Sequence, residues 1–300
     1  MTDLVIRPLN AGEEDLFESL PDPGLVGFAA FGDTYTAMAA AGEYRPDWTW
    51  VALRDGAVVA RAAWWAGPAD DKPVALDWFD FTDPEAAVQL LRSAPLHAQY
   101  SIRLPPGWRA DSAVRAQALA RIDAAKEAGL SPLVERYRYR WTPDCGIPAR
   151  PDRLEFRPEP DDAVILDVFR RLNQGSLDAH VRRTIARSGP DTAAQEELDY
   201  LRWLPSPRDW WRLAYTPAGE LAGLSVPGRN YGDPLIGYIG VVPEHRGHGY
   251  AYDLLVEATH LLTGQDADRM VAGTDQTNYP MAAAFAKAGY PIAQERIDLV

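Results

Sequence analysis

Cysteine is nearly absent: Cys145 stands alone in 300 residues. No disulfide can close within the chain, and a reducing, cytoplasmic location is expected. No apolar run approaches the length of a membrane span. The first residues, MTDLVIRPLN, have no basic segment followed by an apolar core, so no signal peptide is expected. Low-complexity tracts and basic patches are missing too. The formal charge is −13, divided as −6 over residues 1–150 and −7 over 151–300. An acidic surface repels nucleic acid and anionic lipid, so neither partner is expected. It suits a cationic small molecule, although acidity also serves solubility alone.

What is present is a chain written twice. Three hundred residues exceed one ordinary core and fit two domains. LVIRPL (Leu4–Leu9) answers LEFRPE (Leu154–Glu159), and AKEAGLSPLVERYRYRW (Ala125–Trp141) answers AKAGYPIAQERIDLV (Ala286–Val300). A repeat of this length is a duplication, not a solenoid. TPDCGIPARPDR (Thr142–Arg153) is rich in proline and polar residues and reads as a linker. The expected domains are therefore residues 1–141 and 153–300, joined by 142–152.

Each half predicts a similar order. The first opens with a strand at Leu4–Pro8 and a helix near Gly12–Leu20, followed by a less regular stretch. Strands follow at Trp48–Arg54, Ala57–Trp65 and Val74–Phe81. A helix (Glu85–Arg92), a strand (Ala98–Leu104), a helix (Ser112–Ala128) and a last strand (Leu133–Trp141) complete it. The second half predicts a strand at Leu154–Arg157 and helices over Ala163–Asn173, Leu177–Ser188 and Thr192–Leu201. Strands at Trp211–Tyr215, Leu221–Val226 and Leu235–Val242 precede a helix (Gly249–Leu262), a strand (Arg269–Thr274), a helix (Met281–Ala288) and a final strand. Strands arrive mostly as hairpins with one crossover helix. That is a mixed α/β (α+β) architecture, a mostly antiparallel sheet flanked by helices.

The chemistry gathers at VVPEHRGHGYAYDLL (241–255), where a strand meets a helix. Unpaired amides and the positive dipole end attract an anion there, and Gly247 and Gly249 keep Cβ atoms out of its way. A P-loop would need a lysine that is missing. A dinucleotide fingerprint would place its third glycine at Tyr252 and need further βαβ units, for which too little chain follows. The pyrophosphate of coenzyme A is the remaining nucleotide-type anion.

This stretch resembles the acyl-coenzyme A loop of the GCN5-related N-acetyltransferases (GNAT): Arg or Gln, two residues, Gly, one residue, then Gly or Ala. Arg246, Gly249 and Ala251 fill it. NYPMAAAFAKAGY (Asn278–Tyr290) is similar to a second family pattern, with Met281, Phe285, Lys287, Gly289 and Tyr290 in register. Tandem members exist, mycothiol synthase among them, often with one active copy. The resemblance implies a tandem GNAT fold and acetyl-coenzyme A as co-substrate, with no metal. It implies cofactor contacts at Val241, Val242, Arg246, Gly247, His248, Gly249, Tyr250, Ala251, Asn278 and Phe285. The acceptor would be a small primary amine, and the protein a monomer or homodimer. A backbone N–H near Val241 or Val242 would polarise the thioester carbonyl.

The first half's equivalent turn reads TDPEAAVQLL (Thr82–Leu91). Thr82 can cap that helix and Glu85 complete a capping box. It has no glycine, and Asp83 and Glu85 would repel a pyrophosphate, so this copy is expected to be silent.

An alkylammonium of pKa ~10.4 is almost wholly protonated at neutral pH, a deficit of roughly 4 kcal/mol that a base must offset. Asp275, just past the fifth strand of its half, is a candidate base; it also reads as a cap for the next helix. Glu244 reads as a solvated turn residue. Glu196, Glu197 and Asp199 could face a cationic acceptor or lie on a solvated helix face. Phe285 occupies the position of the tyrosine that many family members use as the acid; Tyr279 or water would have to substitute. Trp203, Trp210 and Trp211 precede the second half's hairpin and could line the acceptor cleft. His245 and His248 lack the partners of a metal set, and Cys145 lacks a base. The alternatives to an N-acetyltransferase are a non-catalytic acyl-coenzyme A sensor and an aminoacyl-tRNA-dependent transferase on the doubled fold.

Overall fold

Alternating apolar residues and Gly- or Asp-marked turns make most of the strands. In the computed structural model, which describes residues 3–230 and 232–300, β1 (Leu4–Pro8), β2 (Thr49–Arg54), β3 (Ala57–Trp65) and β4 (Ala75–Phe81) form an antiparallel run. The β2–β3 turn places Asp55 and Gly56 at φ 52° and 79°, the left-handed pair a tight hairpin requires. α1 (Glu14–Glu18) and α2 (Tyr35–Ala40) lie between β1 and β2. The sequence does not announce α2. It is six residues long, too short for a helical period, and starts where the Thr34 hydroxyl accepts from the Ala37 N–H. α3 (Pro84–Ser93) leads to β5 (Gln99–Leu104), and α4 (Ser112–Glu127) to β6 (Pro132–Trp141).

The second repeat follows the same plan. It contains β7 (Glu155–Pro158), α5 (Asp162–Leu172), α6 (Ala179–Ser188), α7 (Pro190–Trp203), β8 (Arg212–Tyr215), β9 (Leu221–Arg229) and β10 (Pro234–Val241). α8 (Tyr250–Thr263), β11 (Met270–Asp275), α9 (Tyr279–Lys287) and β12 (Ile292–Leu299) complete it. Acidic caps start several helices: Asp111, Asp161 and Asp178 each accept from first-turn amides. No helix among the described residues is long and apolar enough to cross a membrane.

Two compact units emerge, and they differ from the two halves of the sequence. One contains the chain through Glu135 together with Gln294–Val300; the other is Arg136–Ala293. The last strands are exchanged. β12 pairs antiparallel with β5, Leu299 opposite Tyr100 and Glu295 opposite Leu104. β6 pairs antiparallel with β11, Met270 opposite Trp141 and Asp275 opposite Arg136. The expected ends at 141 and 300 each shift by most of a strand, because the two closing strands have similar patterns and register is set by partner geometry. The expected linker is part of the second unit. The Trp141 indole donates to Gly146 O at 3.0 Å, and His260 Nε2 lies 2.8 Å from Pro148 O.

Each unit buries apolar residues on both faces of its sheet. In the first, Trp64, Leu76 and Phe79 pack with Leu90 of α3 and Ala118 of α4, while Val51 and Trp78 pack with Phe17 and Tyr35. In the second, Leu224 and Val226 pack with Phe169 of α5 and Leu198 of α7, while Met270 and Ala272 pack with Leu262 of α8 and Phe285 of α9.

The exchange has a direct test. Residues 132–293 keep β6 to β11 together and should melt in one cooperative transition followed by circular dichroism. Residues 153–300 lack β6, leave an edge of β11 bare and should not. Equal cooperativity of the two fragments would overturn the exchange.

Candidate functional site

The second unit's sheet opens in the middle. β10 and β11 run parallel, but their register contains one pair, Leu235 with Val271. Immediately beyond it β10 carries a bulge: its register against β9 shifts between Ile236 and Tyr238. A bulge bends and twists its strand, and here it turns β10 away from β11. A Cβ on Gly223 would meet the Gly240 carbonyl oxygen at 2.3 Å, so β9 can follow the turned strand this closely only with glycine there.

The edge of the opening carries a hydrogen-bond donor. The Val242 N–H donates to Ala222 O at 3.0 Å, which makes that pair hydrogen-bonded across to β9. Antiparallel pairs alternate, so at Val241, opposite Gly223, the N–H points to the other side, into the opening. Of the two amides expected to polarise a carbonyl, Val242 is occupied and Val241 is available.

Past Val241 the chain makes a short 3-10 turn (Pro243–His245) and then the glycine turn. Gly247 and Gly249 have φ of 84° and 76°, a conformation costly for other residues, and Gly249 leads into α8. The amides of Gly247, His248 and Gly249 donate to no partner among the described residues. Three exposed amides at a helix start form a cradle for an anion. Tyr250 and Ala251 begin α8, and the His248 ring stacks on Tyr250 at 5.7 Å.

Arg246 behaves differently from the expected phosphate ligand. Its guanidinium is held by carbonyl oxygens: Val241 at 3.1 Å, Gln174 at 2.7 Å and Leu172 at 2.8 Å. It ties the turn to the carbonyl end of α5, where a cation is favoured. Arg153 clamps the other side, donating to His248 O at 2.9 Å and pairing with the buried Asp253 at 2.7 Å. The sequence did not mark Arg153, which lies far from the turn along the chain.

Several other predicted residues are structural. Asn278 caps α9, its side chain accepting from the Met281 N–H. Phe285 is buried 4.1 Å from the Tyr139 ring in the core, rather than lining a cofactor channel. Trp210 and Trp211 are likewise buried in the two cores, not in a cleft. Asp275 has no exposed side-chain surface. Its Oδ2 accepts from the Ala179 N–H at 2.7 Å and its Oδ1 faces Arg136 at 3.4 Å, so it holds the start of α6 rather than capping α9. Burial, with the Asp178 carboxylate nearby, raises its pKa. Tyr279 is 73% exposed at the first turn of α9. His245 and His248 turn to Glu220 and to the carbonyls of His245 and Arg246.

The three acidic residues of α7 separate cleanly. Glu196 accepts from the Thr184 hydroxyl, and Asp199 is paired with Gln195 and Arg202. Glu197 is half-buried on the side that faces Asp178 and Arg136. Desolvation, reinforced by Asp178 and Glu196 and opposed by Arg136, pushes its pKa up to about 7. Burial and the Glu197 charge raise that of Tyr238, which lies in the diverging part of β10. A helical-stripe count separates Glu197 from Glu196 and Asp199, since it falls among the buried Ala193, Ala194, Leu198 and Leu201.

The first unit has the same opening but fills it. β4 and β5 are parallel only at Ala75–Gln99 and Leu76–Tyr100. Beyond, the Gly27 N–H donates to Arg103 O of β5 at 2.9 Å, and Arg121 Nε to Phe79 O of β4 at 3.0 Å. Asp80 then joins Arg121 and Arg61 at 2.8 and 3.0 Å. At the start of α3 the cap is Asp83, not Thr82. Its carboxylate accepts from Ala86 and pairs with Arg54, contacts that hold its pKa below the usual range.

The anchoring role of Arg246 predicts a loss of stability independent of any ligand. Arg246→Ala should lower unfolding free energy by about 1–2 kcal/mol in urea titrations, the scale of charged hydrogen bonds discounted for exposure. Arg246→Lys should behave nearly as Ala, because one ammonium cannot span three carbonyls. Unchanged midpoints for both would refute the anchor.

Comparison with known proteins bears on the fold. Residues 179–290 match the model of the acetyltransferase (GNAT) family. No curated protein matches significantly. Among solved structures, a GCN5-related N-acetyltransferase from Sphaerobacter thermophilus aligns over 99% of this chain and 94% of its own, with 15% identity and a TM-score of 0.58. A tandem GNAT protein from the clavulanic acid biosynthesis pathway, solved without AcCoA, aligns over 99% and 98%, with 18% identity and a TM-score of 0.52. Those likenesses are of fold and extend along the whole chain. The chain therefore has the tandem GNAT fold, and its residues 179–290 match the GNAT acetyltransferase family model.

Proposed function

We propose that the protein transfers an acetyl group from acetyl-coenzyme A to a small primary amine, with the active site in the second unit. The observation that carries this reading is the opening between β10 and β11, with the Val241 N–H at its edge and unpartnered amides of the glycine turn at its end. A pyrophosphate would rest on the amides of Gly247, His248 and Gly249 at the start of α8. The thioester arm would then lie in the opening, its carbonyl oxygen toward Val241. A donor placed for the oxyanion contributes through the charge that develops on attack. The amine attacks the carbonyl carbon, the carbon–sulfur bond breaks, and an amide and a thiol result. Tyr279, exposed at the start of α9 just past β11, carries a hydroxyl that could return a proton to sulfur.

The first unit, with its opening filled and Asp83 at the helix start, is read as a non-binding partner copy. An overall charge of −13 favours a cationic acceptor over nucleic acid, which weighs against the tRNA-dependent alternative. Calorimetry should therefore find one coenzyme A per chain, and Gly249→Glu should weaken it at least tenfold by adding a side chain and a negative charge to the cradle. Two sites, or unchanged affinity in the variant, would overturn the assignment. Thiol release followed across a panel of primary amines tests the reaction. Tight binding with no turnover on any amine would favour the sensor.

A further inference from the structure

We propose that Glu197 is the proton acceptor that prepares the amine for attack, a role that rests on the acyl-transfer reading above. The geometry begins with α7. Ala193, Ala194, Leu198 and Leu201 turn into the core, and position 197 falls on that stripe, four residues after Ala193 and three after Ala194. A carboxylate on a core-facing stripe is costly unless it is paired. Glu197 has no ion pair or hydrogen bond among the described residues. The other carboxylates around it are occupied. Asp178 caps α6 and faces Arg136 at 3.4 Å, Asp275 holds the Ala179 N–H, and Glu196 holds Thr184.

Glu197 also stands beside the right strand. It lies within electrostatic range of the Tyr238 hydroxyl, as do Asp178 and Arg246. Tyr238 follows the bulge, in the part of β10 that has left β11. A second polar group at the end of α5 lacks a partner. Asn173 is 4% exposed, and neither its Oδ1 nor its Nδ2 finds one among the described residues. Leu172, next to it, and Tyr238 both press on Gly240. An ammonium arriving at Glu197 would supply the donor that its carboxylate lacks.

The charged groups facing Glu197 come from each neighbouring element. Asp178 stands at the start of α6, with His180 and Arg182 on its first turn; Arg136 lies on β6 and Tyr238 on β10, and Glu196 is adjacent on α7. α5 carries Asp162, Asp167, Arg170 and Arg171, of which Arg170 is paired with Asp191 at 2.6 Å, Asp162 with Arg208 at 2.8 Å and Arg171 with Glu244 at 3.6 Å. The balance of like charge and burial leaves Glu197 ionised only above about 7. The ammonium gives one proton to the carboxylate, and the nitrogen lone pair attacks the thioester carbon. As the carbon–sulfur bond breaks, the second proton lost by nitrogen goes to the thiolate. Glu197 then releases its proton to solvent, so the sum is ammonium plus thioester to amide, thiol and one proton.

A base of this kind requires the rate to rise with pH through about 7. The test compares pH–rate profiles of the wild type, Glu197→Gln and Glu197→Asp on an amine accepted by the wild type. Glu197→Gln should lower kcat by ~10²–10⁴-fold and remove the acidic limb. Calorimetric affinity for coenzyme A should stay within about twofold in that variant, and Glu197→Asp should restore part of the rate with its limb. A Gln variant that keeps both kcat and the limb overturns the role of Glu197 while leaving acyl transfer standing. A wild type that turns over no amine overturns acyl transfer and this role together.

Discussion

One parallel pair, Leu235 with Val271, is the point on which the second unit turns. Before it, β10 and β11 are hydrogen-bonded neighbours; after it, the bulge separates them. The groups proposed to receive coenzyme A lie beyond that separation: the inward Val241 N–H, the anchored glycine turn and the helix that begins at Tyr250. Continuous pairing would give a closed sheet with its donors satisfied and no room for a substrate arm. The opening costs several backbone hydrogen bonds, and Gly223, Arg246 and Arg153 hold its edges in place.

The first unit shows the same opening closed by the chain's own groups. Exposed edges within a fold need partners, and this copy supplies them internally, from the Gly27 backbone and the Arg121 side chain. The buried Asp80–Arg61–Asp22 and Asp80–Arg121 pairs then compensate the charges this brings inside. Such filling leaves the order of elements unchanged between the two units. Asp83 at the head of α3 completes the filling by placing a side-chain anion where the other copy leaves amides exposed.

Most of the fold was legible because strands and long helices write their periods into the sequence, and the glycine turn because only glycine tolerates its dihedrals. α2 was not legible, being shorter than two helical turns. The strand exchange was not legible either. AGLSPLVERYRYRW and AGYPIAQERIDLV carry interchangeable patterns, and nothing local says which sheet each closes. Side-chain direction was the other blind spot. Arg246 occupies the family's motif position, yet its guanidinium faces carbonyls behind the turn. Phe285 has the expected spacing but faces the core. Asp275 sits at the expected strand end and turns inward to α6. Glu197 was named together with Glu196 and Asp199, and only the apolar stripe around it tells it apart from them.

The exchanged strands also set an order of events. Ser101 of β5 hydrogen-bonds Asp298 of β12 across 197 residues of chain. The first unit therefore waits for its closing strand until the whole second unit has been synthesised, whereas Arg136–Ala293 is continuous and can close as it emerges. Long-range closure of this kind is slow and leaves a strand edge open meanwhile. On the ribosome the second unit would complete itself before the first does. A chain cut short near its end would lose the closing strand of the first unit, though that unit is encoded first.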